Sequence, residues 1–195
     1  MNGQKEKRNW IQLISFLVIV LLTVETAYLM VQNRQLKVTI VTLANQRLPG
    51  TLKQGDQVLG ARVRDLDSVM QIISYDGTSL KYLFVIFSTT CPHCQKNLDN
   101  WKSLAHRAGG REWRILGVST DGIEGTTGYV VENNLNFEVV CADTSFSRVY
   151  TVDGVPEKIL INEKGIVQKV YTGVLNRDEL REIQTALDAK VSSSN

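Results

Sequence analysis

Hydrophobic positions divide the chain into two parts of different period. From Trp10 to Val31 there are 22 residues, mostly Ile, Leu, Val and Phe, broken by a single charge at Glu25. As a helix this stretch rises about 33 Å at ~1.5 Å per residue, enough to cross a bilayer. With Lys5, Lys7 and Arg8 packed against it, it predicts an uncleaved signal anchor over residues 10–31, with residues 1–9 on the cytoplasmic side. A cleaved signal peptide fits less well, because a cut after Ala27 sets Glu25 where a small residue is wanted. Glu25 falls in the last third of the span, where a carboxylate reaches the headgroups; the charge-free stretch Trp10–Val24 is 15 residues. Flanking charge alone does not orient the span: Lys5, Lys7 and Arg8 are matched by Arg34, Lys37 and Arg47, three each.

Residues 32–51 read as a stalk or linker. Leu36, Ile40 and Leu43 continue a helical stripe for some turns, and Pro49-Gly50 ends it. Beyond Leu52 short periods alternate. Val58–Leu66 and Val69–Ser74 read as strands, with turn chemistry at Tyr75-Asp76-Gly77-Thr78. Lys81–Ser88 is a continuous apolar run, as expected of a strand buried on both faces. Pro92–Arg107 predicts one helix with Leu98, Trp101, Leu104 and Ala105 on one side. Trp113–Ser119 is a second buried strand, and Thr126–Asn133 a short helix. Phe137–Cys141 and Ser145–Tyr150 give an extended segment and a helical turn. Glu157–Ile161 and Ile166–Thr172 are strands joined by the loop Asn162-Glu163-Lys164-Gly165. Asn176–Lys190 is a closing helix in which Asn176 and Glu179 form a capping-box pattern. Residues 191–195 are expected to be a disordered tail. This succession predicts an α/β domain over residues 52–190, with a mixed sheet covered by helices on both faces.

Charge and composition remove some functions. The 22 Lys+Arg against 20 Asp+Glu leave a net charge of +2, and no basic block marks a nucleic-acid surface. Three cysteines in 195 residues do not build a disulfide scaffold. Only Cys91 and Cys94 lie close together, so a closed zinc site lacks its second ligand pair. No metal or other cofactor is expected.

The pair itself carries chemistry. Cys91-Pro92-His93-Cys94 follows the apolar run Lys81–Ser88 and opens a helix, the setting in which Cys-x-x-Cys works as a redox motif. A cysteine at a helix N-terminus faces free N–H groups and the positive dipole end, which favours its thiolate. Cys94, one turn inside, is within reach of the first sulfur. Pro92 suits a first turn because it has no N–H to leave unbonded, and His93 at the exposed tip adds charge that favours a Cys91 thiolate. The third cysteine, Cys141, ends an apolar segment as a buried thiol or as a third redox participant. His106, late in the same helix, reads as a surface or capping residue.

With Gly154-Val155-Pro156 before the strand Lys158–Ile161, this arrangement resembles a thioredoxin-fold protein. The succession GVPEKILINEKGIVQKVYTG resembles the TlpA/ResA-type branch of membrane-anchored thiol–disulfide oxidoreductases, and Gly55-Asp56 and Asp76-Gly77 match that branch's N-terminal β-hairpin. The resemblance covers roughly Leu52–Leu187. It implies a cis bond at Pro156 beside the dithiol, and a Val155 backbone offered to a partner chain.

Two departures stand out. The usual Trp-Ala-x-Trp approach to the motif is Ser88-Thr89-Thr90 here, and Asn97 replaces a proton-handling Glu. The His93 dipeptide is that of DsbA-like oxidants. The expected function is extracytoplasmic disulfide exchange with protein thiols or disulfides of the cell envelope, from the inner membrane of a cell with a periplasm, with a membrane redox partner among the expected partners and no nucleic acid. A peroxiredoxin-like peroxidase shares the fold, but its Pro-x-x-x-Thr-x-x-Cys pattern meets Phe84 and Ser88 here. A Sco-like copper metallochaperone uses Cys-x-x-x-Cys and a distant His; here the spacing is one shorter and no His follows His106.

Overall fold

The computed structural model describes residues 16–30, 32, 52–109, 112–152 and 154–189. The chain divides into two units, Met1–Gln46 and Arg47–Asn195. In the first, residues 16–30 form helix α1, and its apolar side chains, Phe16, Leu21 and Leu29 among them, are exposed. Among the described residues no helix is long and apolar enough to cross a membrane. The expected span over residues 10–31 extends beyond α1 on both sides, and residues 10–15 and Val31 lie outside the described residues. So do residues 1–9, nearly all of the expected stalk 32–51, and the tail 191–195.

The second unit is built on one seven-stranded sheet. Its strands are β1 (Ala61–Arg64), β2 (Met70–Ile73), β3 (Lys81–Phe87), β4 (Trp113–Ser119), β5 (Glu138–Ala142), β6 (Glu157–Ile161) and β7 (Val167–Thr172), and their order is β2-β1-β5-β4-β3-β6-β7. The three inner strands β3, β4 and β5 run parallel, while β6, β7, β1 and β2 are antiparallel to their neighbours. The helices are α2 (Pro92–Gln95), α3 (Leu98–Ala108), α4 (Ile123–Glu132), α5 (Thr144–Tyr150) and α6 (Arg177–Asp188).

Strand β3 shows why its sequence has no polar period. Tyr82, Phe84 and Ile86 point into a core closed by Phe146 and Tyr150 of α5. Leu83, Val85 and Phe87 point the other way, into a core closed by Trp101 and Leu104 of α3, Tyr129 of α4 and Ile183 and Leu187 of α6. Both faces are dry, which a parallel inner strand requires.

Three expectations are corrected. The stretch Val58–Leu66 holds a shorter strand, because residues 55–58 hydrogen-bond to the β6–β7 turn instead: Val58 N–H reaches the Gly165 carbonyl at 2.8 Å. Gly165 has φ +75°, and a Cβ there would meet the Val58 carbonyl oxygen at 2.7 Å, so the turn needs glycine. The helix expected at Thr126–Asn133 begins one turn earlier, at Ile123. The single helix expected over Pro92–Arg107 is two, broken at Lys96-Asn97. The remaining elements match to within one or two residues. The N-terminal hairpin is β1–β2, and the capping box of α6 is formed on both sides, with Asn176 accepting from Asp178 and Glu179 N–H and Glu179 accepting from Asn176 N–H.

Candidate active site

The motif sits where β3 ends. Cys91 is the extended N-cap residue of α2, and its carbonyl accepts from Cys94 and Gln95 N–H at 3.0 and 3.3 Å. One turn of helix therefore separates an intermediate Cys91 from a fully buried Cys94. Pro92 is at the first helical position, and Pro92 and His93 are both exposed. All three cysteines are free thiols.

Across from the motif, the Val155–Pro156 peptide bond is cis. Cys91 Sγ donates to the Val155 carbonyl at 3.6 Å, so the structure brings Cys91, Cys94, Val155 and Pro156 together. It does not bring Cys141 to them. Cys141 lies on β5, two strands from β3, buried beside Arg64 and Ser119 at a cleft of about 390 Å³. His106 is exposed in the last turn of α3, in keeping with a surface residue.

Two side chains hold the frame of the motif. Asp121, at the end of β4, accepts from Thr89 N–H at 2.5 Å and from Ser88 Oγ at 3.3 Å, fixing the loop that delivers Cys91. Burial opposes ionisation of its carboxyl, but the bonds from Thr89 and Ser88 outweigh this and hold it below the ordinary carboxylate range. Asn97 is fully buried. Its Nδ2 donates to the His93 carbonyl at 2.9 Å and to the Gly173 carbonyl at 3.5 Å, and its Oδ1 accepts from Leu175 N–H at 2.9 Å. An amide that takes up backbone groups in this way competes with the helical ladder, which accounts for the break between α2 and α3. Asn97 is thereby a structural clamp between α2 and the Gly173–Leu175 loop.

A third group was missed by sequence reading. Lys158 is wholly buried although it lies in a strand. It alternates with Leu160 and pairs with Val85 and Tyr171, so it projects onto the same face as Cys94. Its Nζ donates to the Gly173 carbonyl. Burial pushes the Cys94 thiol up to about 12, with the Ser88 backbone and the Lys158 charge acting in the opposite sense. Burial pulls Lys158 down to about 8, against the charges of Glu179, Cys94 and Glu157. Tyr129 of α4 is raised to about 12 by burial and by the proximity of Cys94 and Cys91. Among the described residues, no group of three or more His, Cys, Asp or Glu side chains converges as a metal-binding set.

A mixed sheet with a central parallel core, helices on both faces and Cys-x-x-Cys at the end of the inner strand beside a cis-proline defines a thioredoxin-like fold. Solved structures share it. The thioredoxin domain of a thiol-disulfide oxidoreductase from Bacteroides vulgatus superposes with a TM-score of 0.60 at 19% identity, over 71% of this chain and 100% of that one. StoA from Bacillus subtilis gives 0.54 at 18% identity, over 70% and 97%. A peroxiredoxin-like protein from Aquifex aeolicus gives 0.54 at 20% identity, over 71% and 89%. The chain belongs to the AhpC/TSA family, whose model matches residues 55–170, more than half of its length. No curated protein matches the sequence.

Proposed function

We propose that this protein is a membrane-anchored thiol–disulfide oxidoreductase that exchanges disulfides with envelope proteins through Cys91-Pro92-His93-Cys94, in the manner of the TlpA/ResA-type branch. The observation that carries the reading is the asymmetry of the pair: Cys91 is accessible beside the Val155 carbonyl, and Cys94 is buried one helical turn behind it. When the reduced protein meets a substrate disulfide, the Cys91 thiolate attacks one sulfur. A bond forms between Cys91 Sγ and that sulfur, and the other substrate sulfur leaves as a thiolate. Cys94 then attacks Cys91 Sγ, closing the Cys91–Cys94 disulfide and releasing the second substrate thiolate. The substrate is reduced by two electrons and the dithiol oxidised by two. The reverse sequence donates a disulfide. Val155, with its backbone against the motif, is the contact for the partner chain, and His93 is an exposed residue between the two cysteines. Cys141 has no step in this exchange.

The anchor rests on the apolar run Trp10–Val31 and on the exposed apolar surface of α1. With the dithiol outside the cytoplasm, residues beyond Val31 are extracytoplasmic. Alkaline phosphatase fused to the C-terminus is then active; an inactive fusion removes the localisation. Cys94→Ala expressed in cells traps substrates as mixed disulfides on Cys91, and identifies them. Recovery of no adduct, or of adducts on Cys141, removes the proposed exchange.

Membership of the AhpC/TSA family, together with the Aquifex likeness, favours one second reading, a peroxidase. Phe84 and Ser88 stand where its Pro and Thr are needed. Consumption of hydrogen peroxide dependent on Cys91 would establish it over disulfide exchange.

A further inference from the structure

Lys158 is a buried cation with an uncommon set of neighbours. Its hydrogen bond runs from Nζ to the Gly173 carbonyl, and the charges of Glu179, Cys94 and Glu157 act on it electrostatically. Burying a lysine is costly, and an apolar side chain at this register position would simply extend the row of Leu160, Val85 and Tyr171. The groups around it narrow its role. Glu179 of α6 is engaged in the capping box through Asn176 N–H. Glu157, next in sequence, alternates with Ile159 and so projects to the opposite face. Tyr171, across the β6–β7 pair, is raised above the ordinary tyrosine range by burial and Glu182, so it remains a neutral phenol. Tyr129 of α4 acts on the same dithiol and is likewise neutral at physiological pH. Cys94 of α2 is the fully buried thiol on this face, and it interacts with Lys158 electrostatically. Asn97, which replaces the acid of the resembling family, ties the Gly173–Leu175 loop to α2 and contacts the same Gly173 carbonyl that Lys158 does.

We infer that Lys158 is the proton acceptor for the resolving thiol Cys94, taking over the role for which a carboxyl at position 97 is missing. The inference deepens the disulfide-exchange reading and rests on it. In the resolving step Cys94 Sγ–H gives its proton to neutral Lys158 Nζ. The thiolate electron pair forms the bond to Cys91 Sγ as the bond from Cys91 to the substrate sulfur breaks, and that bond's pair leaves on the substrate thiolate. Lys158 returns the proton to that thiolate or to water. In the reverse direction the Lys158 ammonium protonates Cys94 as it departs. A buried thiol titrating near 12 is almost wholly protonated at neutral pH, whereas a lysine near 8 is partly free to receive its proton.

The test uses the full chain in detergent, in a Cys141→Ser background, with the aromatic disulfide dithionitrobenzoate as substrate. Its thiolate leaves without needing a proton, so proton removal from Cys94 is isolated. The first aromatic thiolate reports attack by Cys91 and the second reports resolution by Cys94. In the wild type the rate of the second phase should rise with pH and level off above about 8. Lys158→Met should leave the first phase unchanged, slow the second at least about tenfold at neutral pH, and abolish the plateau so that the rate climbs steadily with pH. Lys158→Gln should do the same, and serves if the methionine variant does not fold. Equal second phases in wild type and variant, or a wild-type profile with no inflection around pH 8, would overturn the inference while leaving disulfide exchange intact. A wild type that shows the first phase and never the second would remove both.

Discussion

The two faces of the one sheet treat their buried polar groups differently. Under α5, Tyr75 and Tyr150 share a hydroxyl–hydroxyl bond of 2.6 Å, and Tyr150 stacks on Phe146 with ring centres 4.3 Å apart, with Phe84 set edge-on to both. The hydroxyl pair is satisfied and the rings interlock. Under α3, α4 and α6 the buried Trp101 Nε1, Trp113 Nε1 and Tyr129 Oη have no protein hydrogen-bond partner among the described residues, and the same face holds Cys94 and Lys158. Strands β3 and β6 contribute to both faces, so the backbone is common and the difference lies in the side chains. One face supplies stability. The other buries polar and ionisable groups at some cost in stability.

The strongest way to break this contrast is at the aromatic face. Phe84→Ala removes a ring that touches Tyr82, Phe146 and Tyr150, and such truncations cost about 3–5 kcal/mol. Denaturant unfolding of the full chain should show that loss, while the pH profile of disulfide exchange under folding conditions is unchanged. A loss below about 1 kcal/mol would mean that this face is not the anchor.

A smaller effect of opposite sign is expected on the other face. Replacing a buried charge by an apolar side chain of similar size is commonly stabilising by about 1–4 kcal/mol, and Lys158→Met should fall in that range at neutral pH. The gain has a defined pH window. Lys158 titrates near 8 in the folded protein and at its ordinary 10.5 when unfolded. Between those values the unfolded chain holds a proton that the native one lacks, so wild-type stability rises with pH and the advantage of the variant shrinks. Cys94, pushed from 9.0 to about 12, works the other way above pH 9, but it does so in both proteins. Destabilisation by Lys158→Met at neutral pH would make the two faces alike.

Much of this was legible in the sequence, for reasons that also explain what was not. The apolar run Lys81–Ser88 announced a doubly buried strand, because both parities carry large side chains, and Cys-x-x-Cys after it announced the motif. The Asn176/Glu179 spacing announced a cap that is formed. These are local patterns. Asn97 and Lys158 are not local. A helix with Asn at one position looks continuous until the Gly173–Leu175 loop, some 76 to 78 residues on, takes up its amide. Lysine in a strand reads as a solvent-facing residue until β6 is known to lie between β3 and β7, under the helices. A lysine two residues after Pro156, in an apolar strand beside the site expected for the redox pair, was the one available signal. Asp121 is not local either, since its partners Thr89 and Ser88 come from the neighbouring strand's loop.

The smallest effect sharpens the comparison because it should carry no pH dependence. Tyr75→Phe leaves the Tyr150 hydroxyl buried without its 2.6 Å partner, at a cost of about 1–2 kcal/mol. Tyr150→Phe leaves the half-buried Tyr75 hydroxyl and should cost somewhat less. The double variant removes both donor and acceptor, so its cost should fall below the sum of the two singles, and the shortfall measures the pairing. Both phenols are held above the ordinary tyrosine range, Tyr75 by burial and Tyr150, Tyr150 by burial, so the pair stays neutral and its contribution is flat from pH roughly 6 to 8, below the range where the unfolded phenols ionise. Unfolding of the four proteins at several pH values makes the check. Additive losses would show that the hydroxyls do not depend on each other, and a coupling that varied with pH as the Lys158 contribution does would show that the aromatic face also carries a titrating group.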